Sequence, residues 1–265
     1  MSRRLSFTDV LTVVERVPDL SGIVLVGGQA LNFWAETLGI ATTETAAPFG
    51  PASSDDIDFL GSARAALSFG EATGGKVAIA GMDNAHSPNT ALVTLDHDGE
   101  EHLIDFLSHM KGFSAAEIEQ VRRWAVPLSL RPGAPRPMLV MHPVHCLESQ
   151  LENVYGRALN RRAEPGGERY VGRVRLAIEA CRRIALRHLG SGDTRSALTL
   201  VEKVHELSLL SSSMRARIED DVRIEDGIPD NPAMPADFRE KRRPQMQRHL
   251  ERAIKKFERS EARVG

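Results

Sequence analysis

The chain has 265 residues, of which 42% are hydrophobic and 26% charged, and its formal net charge is −2. This length is sufficient to bury the core of one large domain or two ordinary ones. The sequence contains no run of about 18 apolar residues and no apolar segment of a signal peptide at its start. We therefore expect a cytoplasmic protein that does not span a membrane. Cys146 and Cys181 are too few and too far apart to predict a disulfide framework or a Cys-x-x-Cys metal site.

The two halves of the chain differ in charge. Residues 1–150 hold 10 Lys/Arg and 18 Asp/Glu, a net −8, whereas residues 151–265 hold 24 Lys/Arg and 18 Asp/Glu, a net +6. An acidic half beside a basic half favours a metal site next to a surface that binds polyanions. A solvated, salt-bridged helical half explains the basic charge equally well. We expect two domains, residues 1–160 and residues 161–265.

A strand, a glycine turn and a helix follow one another near the start of the chain. After a short amphipathic helix, the apolar residues up to Val26 run into Gly27 and Gly28. Apolar residues then recur at helical spacing as far as Leu38. Residues 39–54 are rich in Ala, Thr, Gly, Pro and Ser and are predicted to form a loop long enough to be functional or mobile.

The next strand carries two acidic residues. Asp56 to Leu60 alternates charged and apolar side chains, which is typical of a strand with one buried face. Asp56 and Asp58 would therefore stand on the same face, roughly 7 Å apart at about 3.3 Å per residue. Two carboxylates on an apolar strand repel each other and resist burial, so we expect a divalent metal to neutralise them.

A third carboxylate, Asp105, lies between Ile104 and Phe106 in a later apolar strand. In the rest of the acidic half the periodicities predict further helices and strands. The predicted helices are 62–72, 114–124 and 144–156, and the predicted strands are 76–81, 90–96, 102–110, 125–130 and 137–142.

From about residue 167 the pattern becomes helical and basic. One long helix is followed by a second that is predicted to begin at an N-cap, Asp193. A Pro/Asp-rich connector (224–238) leads to a charged helix at 239–262. Several arginines of the first of these helices are expected to face solvent and bind phosphates. They are Arg173, Arg175, Arg182 and Arg183.

The order Gly27-Gly28, Asp56-x-Asp58 and Asp105 resembles the signature of the DNA polymerase β-like nucleotidyltransferase superfamily. Within this superfamily, the segment VGGQAL and the Ser54 before Asp56 look most like the AbiEii-type toxins and related stand-alone nucleotidyltransferases. The resemblance covers roughly residues 20–155. Ala52 stands where that toxin family has an Arg, and Gln150 is the nearest match to its downstream Lys.

The resemblance implies an α/β fold: a mixed-sheet nucleotidyltransferase core followed by a mainly helical domain. It also implies two Mg²⁺ ions held by Asp56, Asp58 and Asp105, with Asp105 near the acceptor hydroxyl and able to take its proton. This agrees with the preference of Mg²⁺ for oxygen ligands and with two-metal catalysis. Residues implied to bind the nucleotide are Gly27, Gly28, Gln29 and Ser54.

The implied activity is transfer of a nucleotide monophosphate from an NTP such as ATP to an acceptor. We expect the acceptor to be an RNA, such as a tRNA 3′ end, and an antitoxin protein to be a further partner, as in the toxin relatives. Two alternatives stay open. One is a small-molecule nucleotidyltransferase of the antibiotic-modifying kind, and the other is a non-catalytic protein that binds a partner.

Overall fold

The computed structural model describes residues 7–42, 49, 56–81, 88–97, 99–129, 137–156, 164 and 167–262. The chain divides into two compact units, Met1–Ser149 and Gln150–Gly265. The predicted junction at residue 160 lies outside the described residues, so its position stays a prediction.

In the described part of the first unit, seven strands form one mixed sheet in the order β3-β4-β5-β2-β1-β7-β6. β2 pairs in parallel with β5, and β1 pairs in parallel with β7, while the other neighbours are antiparallel. The strands are β1 (Val24–Val26), β2 (Ile57–Leu60), β3 (Lys76–Ile79), β4 (Asn89–His97), β5 (Glu100–Leu107), β6 (Val126–Ser129) and β7 (Pro137–Val140).

Three helices connect consecutive strands, one helix precedes β1 and one follows β7. They are α1 (Phe7–Val14), α2 (Gly27–Leu38), α3 (Ala63–Thr73), α4 (Ala115–Trp124) and α5 (Pro143–Tyr155). Local side chains fix where three of them begin. Ser62 accepts a hydrogen bond from the first turn of α3, and Ser114 forms a capping box with Glu117 at α4. The Nδ1 atom of His142 accepts from the backbone N–H of Val144 at the start of α5.

One face of the sheet is buried against α3. Phe59 of β2, Phe106 of β5 and Phe69 of α3 have ring centroids 5.5–5.6 Å apart. The three rings are almost fully buried. Because side chains alternate along a strand, burial of Phe59 and Phe106 directs Asp58 and Asp105 to the opposite face.

After the end of α5, every regular element among the described residues of the second unit is a helix or a single helical turn. They are α6 (Glu168–Gly190), α7 (Thr194–Ser208), α8 (Ser211–Asp220), a 3-10 turn (Ile224–Gly227), a π turn (Phe238–Arg242) and α9 (Arg243–Glu261). The long helix α6 packs against α7 and the 3-10 turn. The predicted cap of α7 is confirmed, since the carboxylate of Asp193 accepts from the backbone N–H of Ser196.

The arginines predicted to form an exposed row on α6 are half-buried instead: Arg173, Arg175, Arg182 and Arg183. Arg182 and Arg183 each donate to the carboxylate of Glu179 at 2.7 Å, one helical turn earlier. Arg175 donates to the backbone carbonyl of Asp220 at 3.0 Å. Arg173 lies over the ring of Tyr170. All four side chains therefore have partners within the unit, and a phosphate track on α6 stays a prediction.

The sequence prediction of a mixed α/β fold with a helical C-terminal region is confirmed. The predicted strands and helices of the first unit are present, with ends that differ by a few residues. The helix α8 was not predicted. Apolar residues do not recur at clear helical spacing in its sequence, because Ser212 and Ser213 occupy buried positions that a helix usually fills with apolar residues.

Candidate metal centre

The pairing of two strands brings the acidic residues together. In the parallel register of β2 on β5, Asp58 is the direct partner of Asp105. Asp56 lies just before β2, two residues from Asp58, and so reaches the same face. Asp105 therefore lies next to Asp58 and Asp56 in the folded chain, although they are 47 and 49 residues away in sequence.

The three carboxylates form one cluster. Each offers a carboxylate oxygen, and these oxygens all lie within 4.8 Å of one another. All three residues are half-buried, so the cluster is partly desolvated and yet open to solvent. Burial, and then the negative charge of Asp56, raise the pKa of Asp105, although a hydrogen bond from Asn89 lowers it in part. The metal-free cluster therefore holds Asp105 in an unfavourable environment for its charged form.

Asn89 orients the third carboxylate. Its Nδ2 atom donates to Oδ1 of Asp105 at 2.6 Å. Asn89 begins β4, and the pairing of β4 with β5 shifts register between Asn89 and Ala91. Sequence reasoning missed this residue because the contact depends on an antiparallel pairing and on a local irregularity within it. The only signal was a polar side chain at the start of a strand next to the one that bears Asp105.

Gly27 lies against the second carboxylate. Val26 is the register partner of Asp58, so the first residue of α2 is placed beside that side chain. A Cβ atom on Gly27 would lie 2.2 Å from Oδ2 of Asp58. Gly27 also has a φ of +66°, which favours glycine. Glycine is therefore required here both by backbone conformation and by the close approach of the carboxylate.

The structure describes some, but not all, of the other residues that the family resemblance singles out. Gly28 and Gln29 are buried in the first turn of α2. The Oε1 atom of Gln29 accepts from Nδ2 of Asn32 at 2.8 Å. Ser54 and Ala52 lie outside the described residues, and Gln150 is buried on α5. The nucleotide-binding roles of Gly27, Gly28, Gln29 and Ser54 stay predictions.

The donor set fits a hard divalent cation. All three groups are carboxylates, which are ligands that Mg²⁺ prefers, and their oxygens lie at most 4.8 Å apart, close to the roughly 4.2 Å that opposite ligands of one Mg²⁺ span. Burial is the main cause of the raised pKa of Asp105, and a cation would relieve the second cause, the repulsion from Asp56. The residues that would hold it are Asp56, Asp58 and Asp105, and the number of ions stays a prediction.

Comparison of the chain with protein-family models, with curated proteins and with solved structures gives no match. Within the described ranges, none of the helices combines the length and the apolar character needed to cross a membrane.

We predict that Asp105→Asn changes the pH dependence of stability in the absence of metal. Because the folded state raises the pKa of Asp105, the folded protein binds this proton more tightly than the unfolded chain does. The protonated Asp105 side chain therefore favours the folded state in acid. This stabilisation is lost as the pH rises through the raised pKa of Asp105. Asp105→Asn should remove that loss and raise the free energy of unfolding at neutral pH by on the order of 1 kcal/mol, after allowance for solvent screening.

Urea unfolding in EDTA, at mildly acidic and at neutral pH, measures this difference. Glu101→Gln is the matched control, because Glu101 is an exposed acid on the same strand. Addition of Mg²⁺ should stabilise the wild type more than Asp105→Asn. An identical pH dependence in the wild type and in Asp105→Asn would contradict the environment described for this carboxylate.

Gly27→Ala should weaken metal binding and lower stability together. The added Cβ must displace the carboxylate of Asp58, and alanine at a positive φ costs about 1–2 kcal/mol. Gly22→Ala is the control, since a Cβ there meets nothing within 4 Å. Isothermal titration with Mn²⁺ and thermal unfolding check the two effects. Wild-type Mn²⁺ affinity in a folded Gly27→Ala protein would show that Asp58 does not hold the metal.

Proposed function

We propose that this protein is an Mg²⁺-dependent nucleotidyltransferase that transfers a nucleotide monophosphate from an NTP to an acceptor hydroxyl. The observation that supports this most is the convergence of Asp56, Asp58 and Asp105 within 4.8 Å, beside the glycine at the start of α2. Nucleotidyl transfer needs a site that neutralises phosphate charge and holds two oxygens in line. Bound Mg²⁺ supplies charge neutralisation at the attacking and leaving oxygens.

Each acidic residue has a distinct task in this proposal. Asp56 and Asp58 hold the metal that accompanies the nucleotide. Asp105 faces the acceptor and takes the proton from its hydroxyl as the acceptor oxygen bonds to the α-phosphorus and the bond from that phosphorus to the departing pyrophosphate breaks. The hydrogen bond from Asn89 fixes the orientation of this carboxylate.

The start of α2 provides the complementary site for the triphosphate. The backbone N–H groups in the first turn of a helix have no partners four residues earlier, and the helix dipole favours negative charge there. Gly27 and Gly28 begin this turn, and the absence of a side chain on Gly27 lets the carboxylate of Asp58 lie against the backbone there. Phosphates held here lie beside the carboxylates that bind the metal.

RNA is the acceptor that we favour, and the resemblance to toxin-like nucleotidyltransferases makes a tRNA 3′ end the specific candidate. The net charge of +6 in residues 151–265 supports binding of a polyanion. Since the arginines of α6 have internal partners, we place the phosphate contacts on α9. Exposed cations on the last three turns of that helix are Arg252, Lys255, Lys256 and Arg259.

Incubation with total RNA, each labelled NTP in turn and Mg²⁺ tests the proposal. We expect label in RNA, and we expect Asp56→Asn and Asp58→Asn to reduce labelling by at least about 100-fold while the protein stays folded. Glu101→Gln, which makes the same charge change on β5, should label RNA like the wild type.

The outcomes separate the alternatives. Label in a small molecule instead of RNA, with little response to salt, would favour the antibiotic-modifying kind of transferase. Retention of full labelling by Asp58→Asn, or labelling in EDTA, would contradict transfer at this cluster. Absence of any metal-dependent NTP binding would favour a non-catalytic partner-binding protein.

A further inference from the structure

A β-bulge lies at the start of β4, next to the carboxylate cluster. Asn89 is the register partner of Leu107, whereas Ala91 is the register partner of Phe106. Between these two pairs β4 advances by two residues and β5 by one, so Thr90 is an extra residue in the ladder. Bulges of this kind redirect side chains and are frequent next to active sites.

The bulge decides on which face of the sheet the side chain of Asn89 lies. Residues that are paired across two strands share a face, so Asn89 lies on the same face as Leu107 and Asp105. Without the extra residue, Asn89 would be opposite Ser108 and would lie on the buried face with Phe106. The single inserted residue thus brings the amide of Asn89 to Asp105, where Nδ2 donates to Oδ1 at 2.6 Å.

The hydroxyl of Thr90 holds the bulge in place. Its Oγ1 atom donates to the backbone carbonyls of Phe106, at 3.0 Å, and of Gly61, at 3.1 Å. Phe106 belongs to β5 and Gly61 directly follows β2, so one hydroxyl connects the bulge to both of the strands that position the aspartates. The backbone at Asn89 is therefore fixed relative to Asp105.

The spacing of the three carboxylates does not by itself separate Mg²⁺ from Ca²⁺. Their oxygens lie within 4.8 Å of one another. Opposite ligands lie roughly 4.2 Å apart around Mg²⁺ and roughly 4.6–5.2 Å apart around Ca²⁺, so this spacing suits either ion. The two ions differ in how they use carboxylates. Mg²⁺ demands a strict octahedron and keeps several waters, whereas Ca²⁺ takes up to about eight oxygens and often binds both oxygens of one carboxylate.

The hydrogen bond from Asn89 opposes ligation of a cation through both oxygens of Asp105. The N–H group of the amide lies against Oδ1, and its partial positive charge repels a cation that shares this oxygen. Ligation through one oxygen leaves the hydrogen bond intact. A cation that needs few carboxylate oxygens is therefore favoured over one that needs many.

We propose that Asn89, directed by the bulge at Thr90, is a positioning residue that acts through Asp105 and makes the carboxylate cluster selective for Mg²⁺ over Ca²⁺. It holds the carboxylate of Asp105 in one orientation, and it leaves one oxygen of that carboxylate for the cation. This inference deepens the proposed function and rests on its metal site, but it does not rest on the transfer reaction.

Competition between cations measures this selectivity in the full-length protein without nucleotide. Mn²⁺ binding is followed by the EPR signal of free Mn²⁺, and Mg²⁺ or Ca²⁺ then displaces the bound Mn²⁺. In Asn89→Ala we expect Mn²⁺ and Mg²⁺ to bind at least about tenfold more weakly, as is usual when the partner of a metal ligand is removed. Ca²⁺ should bind within about twofold of its wild-type affinity, because the second oxygen of Asp105 offsets the lost orientation.

Thr94→Ala is the matched control, because Thr94 is half-buried on the same strand and lies opposite Leu103 instead of Asp105. It should leave the affinities for all three ions unchanged. When Asp105→Asn is already present, Asn89→Ala should not change the ratio of the Ca²⁺ and Mg²⁺ affinities any further, since Asn89 acts through that carboxylate. A further change of the ratio in that background would overturn the proposal.

Thermal unfolding establishes that each variant is folded. If Asn89→Ala is unstable, Thr90→Val provides an independent test, because it removes the hydroxyl that holds the bulge and should shift the ratio of affinities toward Ca²⁺ in the same way. Wild-type affinities in a folded Asn89→Ala protein, or equal weakening of all three ions, would overturn the proposal.

The experiment also separates this inference from the proposed function. Absence of Mn²⁺ binding by the wild type would overturn the metal site and the selectivity together. A wild-type protein that shows the expected selectivity but transfers no nucleotide would overturn only the proposed function.

Discussion

The parallel register between β2 and β5 is the constraint on which the candidate site depends. It places Asp58 opposite Asp105 on one face of the sheet, while Phe59 and Phe106 are buried on the other. A shift of one residue would exchange these faces, burying carboxylates and exposing aromatic rings. The aromatic cluster with Phe69 therefore fixes the positions of the acids as well as contributing to the core.

The same arrangement is electrostatically unfavourable without a cation. Three carboxylates with oxygens within 4.8 Å repel one another, and the raised pKa of Asp105 reflects both its burial and the charge of Asp56. The fold maintains this cluster through the sheet register, through the hydrogen bond from Asn89 and through a glycine that makes room for Asp58. We infer that a bound divalent metal would neutralise the repulsion among the three carboxylates and so stabilise the cluster.

Short-range sequence patterns made much of the acidic cluster and its supporting elements predictable. The alternation of Asp56 to Leu60 fixes the face of each side chain within the strand, and the glycine pair marks the turn before α2. The role of Asn89 was not predictable, because it depends on a register shift between two antiparallel strands. The pairing of Glu179 with Arg182 and Arg183, in contrast, had a signal in their spacing of three and four residues.

We infer that Asp56, Asp58 and Asp105 jointly bind a divalent cation. Anomalous diffraction from crystals of the full chain grown with Mn²⁺ in place of Mg²⁺ tests it most directly. We expect an anomalous peak within about 2.0–2.3 Å of carboxylate oxygens from all three residues, and no such peak in crystals of Asp58→Asn. A peak elsewhere, or none at the three carboxylates under saturating Mn²⁺, would contradict it.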